Sequence, residues 1–490
     1  MSQASRDYVI IYINGERHEI RGKQVFMTLS DYLRYEKQLT GTKVVCAEGD
    51  CGACTVLMGA VKPQSTVDGV HYQSINACIQ FMHGLDCCHI ITIEGLPENK
   101  QTLHPVQQAM VKAQATQCGF CTPGFVMAAA GMMEVKNKIK PQHARNFLTG
   151  NLCRCTGYQS IINAMLDINH ENYSSIKSRY HSAELHQDLL SHTATAVHIQ
   201  HQNDSFDAPL DCVTAAQSLT SADHKLFASA TDLGVQYNKG HWQQQRVVSL
   251  NLIEDLHHCE IKQDSVRIGA RVTLSQIEQK LGSIQPEWIQ FIHIFASPQI
   301  KNNGTLVGNI ANGSPIGDNL PFLLALNARL NIQGPDSSRT VNINDFYLGY
   351  RQLDLATNEL ITQVEIPNKP NNSFLKLYKV SQRRDLDISC VSCALMMQFD
   401  QNKLLKAVTI AFGGVAATAI RLKPIEQNLL GQPMEALLQS DHIETTAELM
   451  AKQVTPMSDV RGSQAYRQLL VANLYKKYMA ELRVAHETKV

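Results

Sequence analysis

The sequence predicts a multidomain α+β protein, and three observations predict it. At 490 residues the chain is too long for a single core, so about two to four domains are expected. Short β-rich runs stand near the N-terminus, and strand-like segments alternate with helical ones from residue 204 onward. Between them, residues 103–165 carry apolar side chains at helical spacing. Apolar residues make up 44% and charged residues 18%, the balance of packed domains rather than of disorder. Lys+Arg and Asp+Glu stand at 44 each, which argues against a basic nucleic-acid surface.

Taken in order, residues 7–20 read as a hairpin turning at Asn14-Gly15. Residues 28–38 have helical periodicity, with Thr28 or Ser30 as N-cap. The strand-like run 54–61 follows, so a small α+β domain extends to about residue 88. The helical region has Thr122-Pro123 opening its second helix and shorter helices over 142–150 and 160–168. Residues 169–203 are polar and read as a linker; its histidines 181, 186, 192, 198 and 201 show no metal-binding spacing. Residues 381–490 give strands and then two amphipathic helices. The apolar stretch Val9–Ile13 is too short for a signal peptide, and Phe125–Met133 is about half a membrane span. A soluble, cytoplasmic protein with no membrane or nucleic-acid partner is expected.

Ten of the fourteen cysteines fall within residues 46–155. In a reducing cytosol, clustered cysteines point to metal or cluster ligation rather than disulfides. Cys46, Cys51 and Cys54 follow C-x4-C-x2-C, and Cys78 comes after 23 intervening residues. That is the plant-type spacing for a [2Fe-2S] cluster. Gly49 and Gly52 let this loop turn tightly and aim N–H groups at sulfur. The second set, Cys118, Cys121, Cys153 and Cys155, places four thiols on two loops. Its spacing admits zinc as well as a cluster. Cys121 precedes a Pro-started helix, whose positive end favours a thiolate. Adjacent Cys87 and Cys88 read as packing residues.

For nucleotide binding the chain has neither G-x-G nor Gly-Lys-Ser/Thr, so a Rossmann fingerprint and a Walker A loop are both absent. Two loops of small and polar residues remain, 225–235 and 295–326. By themselves they read more readily as plain polar loops than as a nucleotide site.

The stretches "GTKVVCAEGDCGACTV", "QCGFCTPGFVM" and "GNLCRCTGYQSI" resemble the two cluster motifs of the xanthine dehydrogenase family of molybdenum hydroxylases. The resemblance covers nearly the whole chain outside the linker. It implies a ferredoxin-like β-grasp [2Fe-2S] domain at 1–88 and a four-helix-bundle [2Fe-2S] domain at 89–168. After the 169–203 linker come a vanillyl-alcohol-oxidase-like FAD domain at 204–375 and a C-terminal α+β flavin-associated domain at 376–490. It assigns Cys46, Cys51, Cys54 and Cys78 to one cluster, and Cys118, Cys121, Cys153 and Cys155 to the other. Val45 and Ala47 stand where the family usually has Gly.

The resemblance also makes the two polar loops FAD-binding. Leu226, Phe227, Ala228, Ser229, Ala230, Thr231, Asp232 and Leu233 would cradle the pyrophosphate, and Phe295 would meet the adenine region. Thr305, Leu306, Val307, Gly308 and Asn309 would form the second loop beside Asp318, with Ile361 and Lys379 as later contacts. "ASAT" replaces a common Gly pair and "VGN" replaces "GGN", so the added side chains are expected to crowd the phosphate path. The segment 378–389 and Tyr350 match positions near the nicotinamide of NAD-reducing relatives; Arg383 and Arg384 would attract nucleotide phosphate, or equally form a solvated charge cluster.

Within these 490 residues no stretch resembles the family's molybdopterin-binding half, which is expected on a separate chain. The resemblance therefore implies the small iron–sulfur/FAD subunit of a bacterial enzyme of this family, paired with a molybdopterin-binding large subunit in a dimer of heterodimers. Electrons from purine hydroxylation on that partner would pass through two [2Fe-2S] clusters to FAD and then to NAD+, with no catalytic side chain for purine chemistry on this chain. Within the family, an aldehyde, nicotinate or aromatic substrate is the alternative. Outside it stand a zinc-stabilised interaction protein and a stand-alone NADH-dye reductase.

Overall fold

The computed structural model describes residues 5–98, 102–136, 138–169, 173–242 and 245–487. Alternating apolar residues first build a five-stranded sheet from β1 (Val9–Ile13), β2 (Glu16–Ile20), β3 (Thr55–Ala60), β4 (Tyr72–Asn76) and β5 (Cys88–Ile91). Its order is β2-β1-β5-β3-β4, with β1 and β5 parallel and the other pairs antiparallel. Asn14 and Gly15 both have positive φ, as a two-residue hairpin turn requires. The helix expected over 28–38 is one α turn, Leu29–Asp31, capped by the Thr28 hydroxyl and running into a π-helical turn at Tyr32–Glu36. The first cysteine loop connects this turn to β3.

Four helices follow: α1 (Pro105–Lys112), α2 (Thr122–Met133), α3 (Pro141–Leu148) and α4 (Gln159–Leu166). Helix α2 is apolar on every side, and Phe125 through Met133 are all buried in the bundle core. The second cysteine set lies on the two loops that enter α2 and α4.

Residues 169–203, expected to be a linker, are largely structured among the described residues. They contain α5 (Ile176–Tyr180), α6 (Ala183–His192) and β6 (Val197–His201). Their polar side chains face specific partners. Tyr12 and Arg17 of the first sheet both bond Asp188 at 2.8 Å, and His181 and His186 bond each other at 3.1 Å in the interior. Buried Arg6 forks onto Asp86 at 3.0 and 2.7 Å while its amide donates to the Ala196 carbonyl.

Among the described residues the third region contains two larger sheets and a two-stranded ribbon at 347–353. The first holds β6, β7 (Asp204–Ala208), β8 (His224–Phe227) and β9 (Arg246–Ser249) in the order β6-β7-β9-β8. The second takes its strands from 259–367, beginning with β10 (Cys259–Ile261), and pairs them antiparallel. Phe206, Phe227 and Val247 of the first of these sheets, with Trp242 just before β9, join the same core as Phe81, Met82 and Leu85. The first cysteine domain and this sheet are thus packed as one body. A last sheet of four strands from 373–421 carries the long C-terminal helix Gln464–Glu487. Among the described residues no helix is long and apolar enough to cross a membrane.

Candidate functional site

The first cysteine set closes on itself. Cys46 meets the thiols of Cys51 and Cys78, and Cys54 meets Cys78; these contacts pull the Cys46 and Cys54 thiols down from their usual values. Cys54 and Cys78 are buried. The Glu48 amide donates to Cys46 Sγ at 3.4 Å. Gly52 turns the loop at φ +66°, and a Cβ there would collide with the Gly150 carbonyl. Of the two departures, Val45 is exposed and crowds nothing, whereas Ala47 takes a left-handed φ of +54°.

In the second set Cys118 and Cys155 lie 3.7 Å apart and exposed, while Cys121 faces the buried Cys153. Cys121 does precede α2, but its thiol is not lowered as expected: burial and then Cys153 push it up to about 12. Cys153 is held low instead. Burial opposes this, but the Thr156 hydroxyl at 3.2 Å and amide at 3.4 Å outweigh it.

The two loops meet at a buried polar joint. The Leu152 amide donates to the Cys51 carbonyl at 2.9 Å, so a residue next to Cys153 touches Cys51 directly. Asn151 donates to the Gly52 carbonyl at 3.0 Å and accepts from Gln299 at 2.8 Å. Gln299 belongs to the third region, so three domains converge here.

That third region holds a cavity of about 570 Å³. Leu226, Ala228, Ser229, Thr231, Asp232, Leu233, Phe295, Thr305, Gly308, Asn309, Asp318 and Lys379 line it. Five of the expected residues do not. Phe227 packs on His83 with ring centroids 5.0 Å apart, and Ala230 joins the same core. Leu306, Val307 and Ile361 point into the core beside the cavity. Crowding by the "VGN" valine is therefore avoided, and of "ASAT" Ala228, Ser229 and Thr231 reach the cavity while Ala230 does not. Lys379, itself buried, pairs with Asp318 and donates to Asp387 O and Ser389 Oγ at 2.8 and 2.9 Å. Asp318 Oδ1 is buried with no protein donor, an acceptor open to a bound ligand.

Sequence reasoning missed Ala296, Ile300, Gly317, Leu386 and Ile388 on the cavity wall. Nothing in their local spacing marks them. Ile300 also approaches the first cysteine loop, 3.3 Å from where a Cβ on Gly49 would lie. Arg383 is ion-paired with Asp387, and Arg383 and Arg384 line a different hollow beside Tyr158.

The donor sets fit the groups expected of them. Four thiols with amide donors suit a [2Fe-2S] cluster, which takes two thiolates per iron. Among the described residues no three His, Cys, Asp or Glu side chains gather tightly enough for a single ion. The cavity has the volume, small-residue wall and free carboxylate acceptor that a flavin nucleotide needs. Fold and site together define an iron–sulfur flavoprotein.

Comparison with known proteins makes this particular. Four family profiles match in succession. They are a 2Fe-2S iron-sulfur cluster binding domain at 11–83, a [2Fe-2S] binding domain at 92–166, the FAD binding domain in molybdopterin dehydrogenase at 206–369, and the CO dehydrogenase flavoprotein C-terminal domain at 376–482. Xanthine dehydrogenase 1 of Arabidopsis thaliana is 28% identical over 97% of this chain and 40% of its own length. Xanthine dehydrogenase of Drosophila subobscura is 27% identical over 98% and 39%. The chain thus spans about two fifths of the length of these relatives. In fold it resembles carbon monoxide dehydrogenase from Hydrogenophaga pseudoflava (TM-score 0.52, 24% identity, 56% of this chain and 94% of that one). Quinoline 2-oxidoreductase from Pseudomonas putida 86 is similar (TM-score 0.52, 22% identity, 58% and 98%). The chain belongs to the molybdenum hydroxylase family and carries its two [2Fe-2S]-binding domains and its FAD domain.

Proposed function

We propose that the chain is the electron-transfer subunit of a xanthine dehydrogenase, carrying electrons from purine hydroxylation on a molybdopterin-bearing partner to NAD+. Two [2Fe-2S] clusters supply one-electron steps, and FAD supplies the junction at which two electrons leave together. Cys118, Cys121, Cys153 and Cys155 would hold the outer cluster, and Cys46, Cys51, Cys54 and Cys78 the inner one. The cavity residues Ala228, Ser229, Thr231 and Thr305 would bind the flavin nucleotide, with Asp318 accepting a hydrogen bond from it.

The observation that carries this reading is contiguity. An exposed thiol set touches a buried one through Leu152 and Cys51, and the buried one abuts the cavity through Ile300. Xanthine as substrate, NAD+ as acceptor and the dimer of heterodimers rest on the resemblance to xanthine dehydrogenases. Anaerobic NADH added to the purified chain tests the acceptor end: it should bleach the flavin band and then the cluster bands. Persistence of both bands would remove NAD+ from the account. Co-purification with a molybdopterin-binding chain and xanthine-dependent NADH formation test the other end.

A further inference from the structure

We propose that Asn238 is a positioning residue that sets the hydrogen bonding of the first cysteine loop from the flavin-domain side; the proposal rests on the electron-transfer reading above. The helix α7 (Leu233–Asn238) touches both centres. Its start, with the residues before it, lines the cavity through Thr231, Asp232 and Leu233. Its end grips the cysteine loop. Asn238 Nδ2 donates to the carbonyls of Ala47 and Cys78, both at 2.8 Å. Neighbouring Lys239 pairs with Glu48 at 3.3 Å. In its first turn, Gly234 lies so close to the Ile79 carbonyl that any Cβ would collide with it.

The consequence follows from peptide planarity. The Ala47 carbonyl and the Glu48 amide belong to one rigid unit, with C=O and N–H pointing opposite ways. Asn238 holds the oxygen end. The other end is the N–H that donates to Cys46 Sγ at 3.4 Å. Ala47 occupies a left-handed φ of +54°, which a residue with a Cβ resists unless its surroundings pin it. Asn238 is therefore the pin for an N–H···S hydrogen bond to a cluster ligand, although it contacts no sulfur itself. Such bonds stabilise the more negative, reduced state and so raise the reduction potential. The flavin domain thereby tunes the centre that feeds it.

The test compares Asn238→Ala, which removes the donor, with Asn238→Asp, which replaces it by an acceptor of the same shape. The full chain is titrated with reductant, and each cluster is followed by its electron-paramagnetic signal, with flavin content measured alongside. At a fixed applied potential, about tenfold fewer first clusters should be reduced in Asn238→Ala, a downward shift of about 59 mV. The second cluster should titrate as in the wild type, and flavin should be retained. Loss of the first signal alone, with the second cluster and flavin kept, also supports the proposal. Unchanged first-cluster potential and line shape in both variants would overturn this proposal alone. A wild-type chain that binds no iron would overturn it together with the electron-transfer reading.

Discussion

The two cysteine sets each contain four thiols and differ in almost everything around them. The first is enclosed: Cys54 and Cys78 are buried, and Asn151, Asn238 and Ile300 reach its loop from two other domains. The second is open, with Cys118 and Cys155 at the surface beside the exposed ring of Phe120. The difference teaches how one chain can place two similar centres in different roles. An enclosed centre has its potential set by surrounding dipoles, and an exposed one is available to something outside the chain.

The comparison breaks most visibly at the ligands. Cys51→Ser and Cys121→Ser should each abolish one cluster signal and leave the other and the flavin intact; a variant that keeps both signals would overturn the ligand assignment. The next effect is acid sensitivity. Burial pushes His83 and His89 of the first domain and His104 of the bundle down to about 3, so all three are neutral in the fold. Unfolding lets each take a proton near its ordinary value, so this stability is complete above about pH 6.5 and declines as pH falls toward 3. Two such histidines against one predict a loss of about 3 kcal/mol per pH unit for the first domain and about 1.4 for the bundle. Urea titrations at pH 7.5 and 5.5, read by domain-specific probes, would show equal slopes if the two environments did not differ.

Smaller effects concern the joint. Gly52→Ala combines a left-handed φ with a collision on the Gly150 carbonyl, and about 3 kcal/mol of destabilisation is expected. Asn151→Ala removes two buried hydrogen bonds, to the Gly52 carbonyl and from Gln299, both of which keep a bond to Thr55, and a cost of about 2 kcal/mol is expected. Thermal unfolding of both variants checks the order; an Asn151→Ala chain as stable as the wild type would mean that the domains are not coupled there.

Much of this was legible before the structure. Ligand spacing is local, so all eight thiols could be paired into sets from the sequence, and Asn14-Gly15 marked its own hairpin. What stayed hidden depends on facing. The polar run 169–203 looks unstructured because its apolar residues are sparse, yet Asp188 finds Tyr12 and Arg17, and His186 finds the Ser65 carbonyl, partners that only the assembled first domain supplies. Likewise the flavin loops could be located, but not the turn of Ala230, Leu306 and Val307 away from the cavity, which is decided by packing. Asn238 carried no signal at all, since its partners are carbonyls more than a hundred residues away.

The most direct test of the central claim is the iron, zinc and flavin content of the anaerobically purified chain, read with its visible spectrum. The account predicts about four irons and one FAD per chain, no zinc, and the absorption of two [2Fe-2S] clusters over that of a flavin. Colourless protein with zinc and no iron would contradict it.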